Sequence, residues 1–118
     1  MKNRIYLSPP HMLGEEKKLF NEAFDSNWIA PVGPNIKKFE KQIAKYINID
    51  HACALSSGTA ALHLALRILN IRKDDYVLCP SLTFAASANV ILYEKAIPVF
   101  IDSGSDYWTI DSTLLESA

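Results

Sequence analysis

Ser56-Ser57-Gly58-Thr59-Ala60-Ala61 stands where an apolar, strand-like segment, Ala52 to Leu55, hands over to a helix-like one, Ala60 to Asn70. A strand that feeds a helix through small hydroxyl and glycine residues leaves the first helical N–H groups unpaired and aimed at one spot. With the positive end of the helix dipole, those donors suit a phosphate. Gly58 lets a ligand approach the backbone closely, and Ser57 and Thr59 can add hydroxyl hydrogen bonds. The chain has only four glycines, so one at this junction is a pointed choice. An ordinary helix N-cap built from the same residues is the competing reading.

Working outward, the 118 residues are one domain's worth of chain, and 49% hydrophobic content is enough for a core. A formal charge of -1 gives no reason to expect nucleic acid or an anionic membrane as a partner. No apolar run is long enough to cross a bilayer, and Met1-Lys2-Asn3-Arg4 lacks a signal-peptide hydrophobic stretch. A cytoplasmic location follows as the expectation. Cys53 and Cys79 form no CxxC pair, so no metal is expected, and both are expected to be buried, reduced thiols.

Upstream, Ile5 to Leu13 reads as extended and stiffened by Pro9-Pro10, with Gly14 ending it. A helix is predicted from about Glu15 to Ser26, with Leu19, Phe20, Ala23 and Phe24 on its apolar face. Asn27 to Gly33 is a loop that carries Trp28 and Ile29 outside any periodic element. Pro34 suits the first position of a second helix, whose Ile36, Phe39, Ile43, Tyr46 and Ile47 recur at helical spacing. Lys37, Lys38, Lys41 and Lys45 lie largely opposite, on a solvated face. Residues 1–48 thus form an N-terminal helical segment.

From residue 49 the rhythm becomes strand, helix, strand, helix, strand: Ala52–Leu55, Ala60–Asn70, Tyr76–Cys79, Thr83–Tyr93 and Ile97–Ile101. Short apolar strands alternating with helices argue for an α/β domain with a mainly parallel sheet covered on both faces. Ligands of such sheets bind beyond the carboxyl ends of the strands. Ser56–Thr59, Ser81–Phe84 and Asp102–Ser103 should all emerge there. A last helix starts after Asp111 and has run only one or two turns at Ala118, so residues 49–118 read as the first part of a larger domain.

With these elements placed, the sequence resembles the start of a DegT/StrS family sugar-nucleotide aminotransferase. The resemblance rests on Ser56 to Leu66, on Pro80-Ser81-Leu82-Thr83-Phe84-Ala85-Ala86-Ser87-Ala88-Asn89 and on Ala96-Ile97-Pro98-Val99-Phe100-Ile101-Asp102. Trp28-Ile29-Ala30-Pro31-Val32-Gly33 and Phe39-Glu40 match as well, and Leu7 to Met12 resembles members acting on UDP-linked 4-keto-6-deoxy-N-acetylhexosamines. The family implies the aspartate-aminotransferase-like fold (fold type I) and pyridoxal 5'-phosphate as cofactor. It implies that the amides of Gly58 and Thr59 hold the cofactor phosphate with Ser57 nearby, and that Phe84 stacks on the ring. It further implies that Trp28, Ile29, Ala30 and Pro31 lie against the nucleotide-sugar, that glutamate gives the amino group, and that the enzyme is a homodimer. Without the resemblance, Phe84 reads as a core aromatic, and the Trp28-Ile29 pair as an oligomer contact.

The chemistry also needs an amine to hold the cofactor and an acid beside the pyridine nitrogen. In the family both lie downstream of Ala118, so no catalytic residue is expected within these residues, and the stretch alone is expected to be inactive. Asp102 reads as a turn or capping residue and His63 as a packed core histidine. Two alternatives accompany this reading: a cofactor-dependent keto-sugar dehydratase on the same scaffold, and an inactive nucleotide-binding or interaction fragment. The motifs GxGxxG, GxxxxGK[ST] and GxSxG are all absent.

Overall fold

The computed structural model describes residues 4–118, so the polar start Met1 to Asn3 lies outside the described residues. The chain divides into two compact units, one ending at Ala54 and the other spanning Leu55–Ala118.

The first unit holds helices α1 (Glu16–Asp25) and α2 (Pro34–Tyr46). The start of α1 is tied by the Glu16 carboxylate, which accepts the N–H groups of Leu13 at 3.0 Å and Gly14 at 2.7 Å. These bonds favour the ionised form and hold the Glu16 carboxyl below its ordinary value. Pro34 occupies the first turn of α2, where its missing N–H costs nothing. Ala44 is the buried residue of α2, and α1 buries none, so Leu19, Phe20 and Phe24 remain exposed along their stripe. Phe20 and Phe24 pack on each other with ring centroids 4.6 Å apart.

The second unit is built on a β–α–β core. Helix α3 (Gly58–Ile68) leads to strand β1 (Tyr76–Pro80), helix α4 (Ala85–Tyr93), strand β2 (Ile97–Ile101) and a short helix α5 (Ser112–Ser117). The strands pair in parallel, with Tyr76 opposite Ile97 and Pro80 opposite Ile101. Cys79, Val90, Ile91 and Ala96 form the core, backed by Leu66, Ile71, Val77 and Ala88. Ile91 sits on α4 and Cys79 on β1, so helix and strand bury each other. The Asp111 carboxylate caps α5 by accepting the N–H groups of Thr113 and Leu114.

Four helices stop by one device. Asn27, Asn48, Asn70 and Lys95 take φ between 55° and 61°. The next residue then donates its N–H back into the last turn: Trp28 to Ala23, Ile49 to Ala44, Ile71 to Leu66 and Ala96 to Ile91. Asparagine tolerates this left-handed backbone better than other side chains, which lets it serve where glycine usually does.

Some expectations fail here: Ala52 to Leu55 is not a strand, and among the described residues the sheet has two strands rather than three. The Ala54 N–H is engaged by the Glu40 carboxylate at 2.9 Å, so a side chain takes the place of a neighbouring strand. The segment keeps a period of two in exposure, and that alternation places Cys53 outward. Cys53 is therefore exposed, against the expectation of burial, while Cys79 is buried. Among the described residues no helix is long and apolar enough to cross a membrane.

Candidate functional site

Ser57 is extended at φ -161° and ψ 159°, and its hydroxyl accepts the Ala60 N–H at 3.1 Å. The local sequence therefore does make an N-cap, as the simpler reading has it. The cap uses only one donor of the turn. Ala61 bonds to the Ser57 carbonyl, and among the described residues the N–H groups of Gly58 and Thr59 find no acceptor. A Cβ built on Gly58 would meet nothing within 4 Å, so the space beside this backbone is open. Capping and anion binding are compatible here because they draw on different amides.

Phe84 stands at the start of α4 with extended backbone, and the residue is 89% exposed. It is thus no core aromatic. Gly58, Thr59 and Leu62 of α3 share one open hollow of about 440 Å³ with Phe84, Ala85 and Ser87 of α4. Two helix N-termini and one uncovered aromatic face meet there. Such a hollow can hold a molecule with an anionic group at one end and a flat ring at the other. No lysine or carboxylate lines it, so its chemistry is binding and orientation.

The expected single crevice is divided in two. Asp102 and Ser81 meet at the carboxyl ends of β2 and β1, where the Ser81 hydroxyl donates to Asp102 Oδ1 at 3.0 Å. The same oxygen accepts the Ser103 N–H at 2.8 Å, so Asp102 closes a turn. A separate hollow of about 280 Å³ lies beside them, with Leu82 and Trp108 on its walls.

The loop with Trp28, Ile29, Ala30 and Pro31 belongs to the first unit and is exposed. Gly33 permits its shape: a Cβ there would stand 3.2 Å from Trp28 Cε3. His63 departs from expectation. It is not a packed core residue: its side chain is 40% exposed and its Nε2 lies 2.6 Å from Glu94 Oε1. No local pattern in the sequence marks Glu94 or Arg67 as partners. The 31 residues separating His63 from Glu94 leave no local periodicity to reveal the pair.

The profile of the DegT/DnrJ/EryC1/StrS aminotransferase family matches residues 10–118. EpsN of Bacillus subtilis (strain 168), to which pyridoxal phosphate-dependent aminotransferase activity is provisionally ascribed, is 56% identical over 118 residues, covering 100% of this chain and 30% of EpsN. GDP-perosamine synthase of Escherichia coli O157:H7 is 42% identical over 107 residues, which are 91% of this chain and 29% of that enzyme. Among solved structures, the PLP form of Spr1654 from Streptococcus pneumoniae, provisionally described as a sugar aminotransferase, superposes with a TM-score of 0.85 at 35% identity, over 98% of this chain and 29% of that one. The chain thus spans about 30% of the length of the curated relatives it matches.

Proposed function

We propose, for a chain that belongs to the DegT/DnrJ/EryC1/StrS aminotransferase family and carries part of its fold type I architecture, that the whole protein transfers an amino group from glutamate to a nucleotide-linked 4-keto-6-deoxy sugar. Pyridoxal phosphate, when bound, supplies the electron sink for that transfer. The observation that carries the reading is the hollow in which the unpartnered Gly58 and Thr59 amides stand beside the uncovered Phe84 ring.

Within this reading the Gly58 and Thr59 amides hold the phosphate, aided by the α3 dipole. Ser57 fixes the turn through its bond to Ala60 and so keeps those two amides facing outward. Phe84 lies against the ring and sets its plane without competing for its polar atoms. Trp28, Ile29, Ala30 and Pro31 contact the nucleotide-sugar. Residues 1–48 serve as the substrate and dimer segment, and residues 49–118 as the first part of the cofactor domain. The protein acts as a cytoplasmic homodimer. The family implies an amine-bearing lysine downstream of Ala118, and this reading gives no lysine of the chain that role.

The test is uptake of pyridoxal phosphate by the full-length gene product, followed as visible absorbance. Phe84→Ala should weaken uptake about fivefold to tenfold, the equivalent of ~1 kcal/mol of stacking. Gly58→Ala should weaken it too while leaving the fold intact, because the added methyl meets no protein atom. Incubation with glutamate and a nucleotide-linked 4-keto-6-deoxy sugar should then yield an amino sugar. Absence of uptake, or uptake indifferent to both substitutions, would remove this assignment.

A further inference from the structure

The hollow is built from the first turns of α3 and α4, so its shape depends on how those two helices are held together. Leu66, Val90 and Ile91 pack in the shared core and supply adhesion without direction. Glu94 supplies the direction. It follows the last residue of α4, and its side chain is only 6% exposed. Its Oε1 lies 2.6 Å from His63 Nε2, and its Oε2 accepts a hydrogen bond from Arg67 Nη1 at 3.0 Å. His63 and Arg67 are four residues apart on α3, on one face and on successive turns. The Tyr93 ring meets the His63 imidazole edge-on, 5.4 Å between centroids, and fixes its orientation further.

Two local effects oppose a carboxylate here, and the bonds from Arg67 and His63 outweigh them. A carboxylate at the C-terminal end of α4 faces the negative end of the helix dipole, and burial withdraws it from water. Replacing a buried ion pair by apolar side chains of similar volume is often neutral for stability. What the carboxylate adds is geometry, since two directional bonds to one helix oppose both slide and rotation. His63 is four residues beyond Thr59, about 6 Å along α3, and Glu94 is ten beyond Phe84, about 15 Å along α4. Rigid helices carry a displacement over such lengths into the hollow.

We propose that Glu94, acting through His63 and Arg67, is a positioning residue that sets the spacing between the Gly58–Thr59 amides and the Phe84 ring. This rests on reading that hollow as the pyridoxal phosphate site.

The test titrates pyridoxal phosphate into the full-length gene product, measuring affinity by absorbance and ring orientation by the circular dichroism induced in the bound cofactor. Glu94→Met keeps volume and should keep the unfolding midpoint, while weakening affinity about tenfold through misplaced contacts and diminishing the induced signal at saturation. Arg67→Met, at a side chain 66% exposed, should act in the same direction and decides the matter if Glu94→Met does not fold. Glu94→Gln keeps an acceptor for Arg67 and a polar group facing His63, and should restore most of both readouts. Ile101→Val trims the core away from these residues and should lower the midpoint without touching affinity or dichroism. Wild-type affinity and dichroism in Glu94→Met and Arg67→Met would overturn the proposal while the site reading stands. Affinity that merely tracks stability across all variants, Ile101→Val included, would overturn it as well. A wild-type protein that takes up no pyridoxal phosphate would remove the site reading first, and this inference with it.

Discussion

The two units of the chain are ordered by different means. In the unit ending at Ala54, α1 and α2 are defined by what lies within a few residues: the Glu16 bonds to Leu13 and Gly14, Pro34 in the first turn, and asparagines at the ends. Ala44 is buried there, while Phe20 and Phe24 keep their rings in the open. In Leu55–Ala118, by contrast, order comes from distant partners. β1 exists because β2 lies beside it, and Val90, Ile91 and Cys79 are covered by residues from separate elements. Local signals thus suffice to draw helices, whereas burying them takes chain from far away.

Substitution in the core should expose this contrast most. Ile91→Ala is expected to cost about 2–5 kcal/mol and to erase hydrogen-exchange protection of β1 and β2. Phe20→Ala, which loses only a ring pair at an exposed stripe, should cost ~1 kcal/mol or less and leave that protection in place. Equal losses at the two positions would mean the units do not differ as described.

Helix endings should give a smaller effect, and here the units should behave alike. Asn70→Ala removes the amide that eases the left-handed backbone at φ 61° and should cost ~1 kcal/mol or less, read from the unfolding midpoint. Asn70→Gly should be close to neutral. The same pair of substitutions at Asn48, φ 55°, should give the same order.

Acid sensitivity separates the units again, with the least effect. Glu94 is held below its ordinary carboxyl value, first by the Arg67 hydrogen bond, with His63 adding to it. A depressed folded-state value means that ionised Glu94 adds stability above the unfolded value near 4.5, and that this is lost as pH falls through the lower folded value. Glu16 follows the same sign for a local reason, its backbone bonds. Glu94→Gln should flatten the acid limb of an unfolding profile read from α4, and Glu16→Gln the limb read from α1. An acid limb unchanged by either substitution would contradict these assignments.

What the sequence made legible follows the same divide. Pro34 and the Ser57 cap were readable because each acts within one helical turn. The paired strands were readable from short apolar runs, and the start of α3 from the hydroxyl residues around Gly58. Ala52 to Leu55 misled because an apolar run states a preference for extension but does not name a partner, and Glu40 lies 14 residues away. Phe84 has the composition of a core residue, and its exposure at the mouth of a hollow shows otherwise. Glu94 was invisible for the reason its role is of interest: both of its partners come from another helix.

The two thiols give the molecule an internal clock. Cys53 stands in solvent, whereas Cys79, on β1, is enclosed against α4, and burial raises its pKa. A maleimide dye should therefore attach once per chain at once, and a second time only as fast as the strand–helix sandwich breathes. The lag between the two labels times the opening of that sandwich, without any engineered probe.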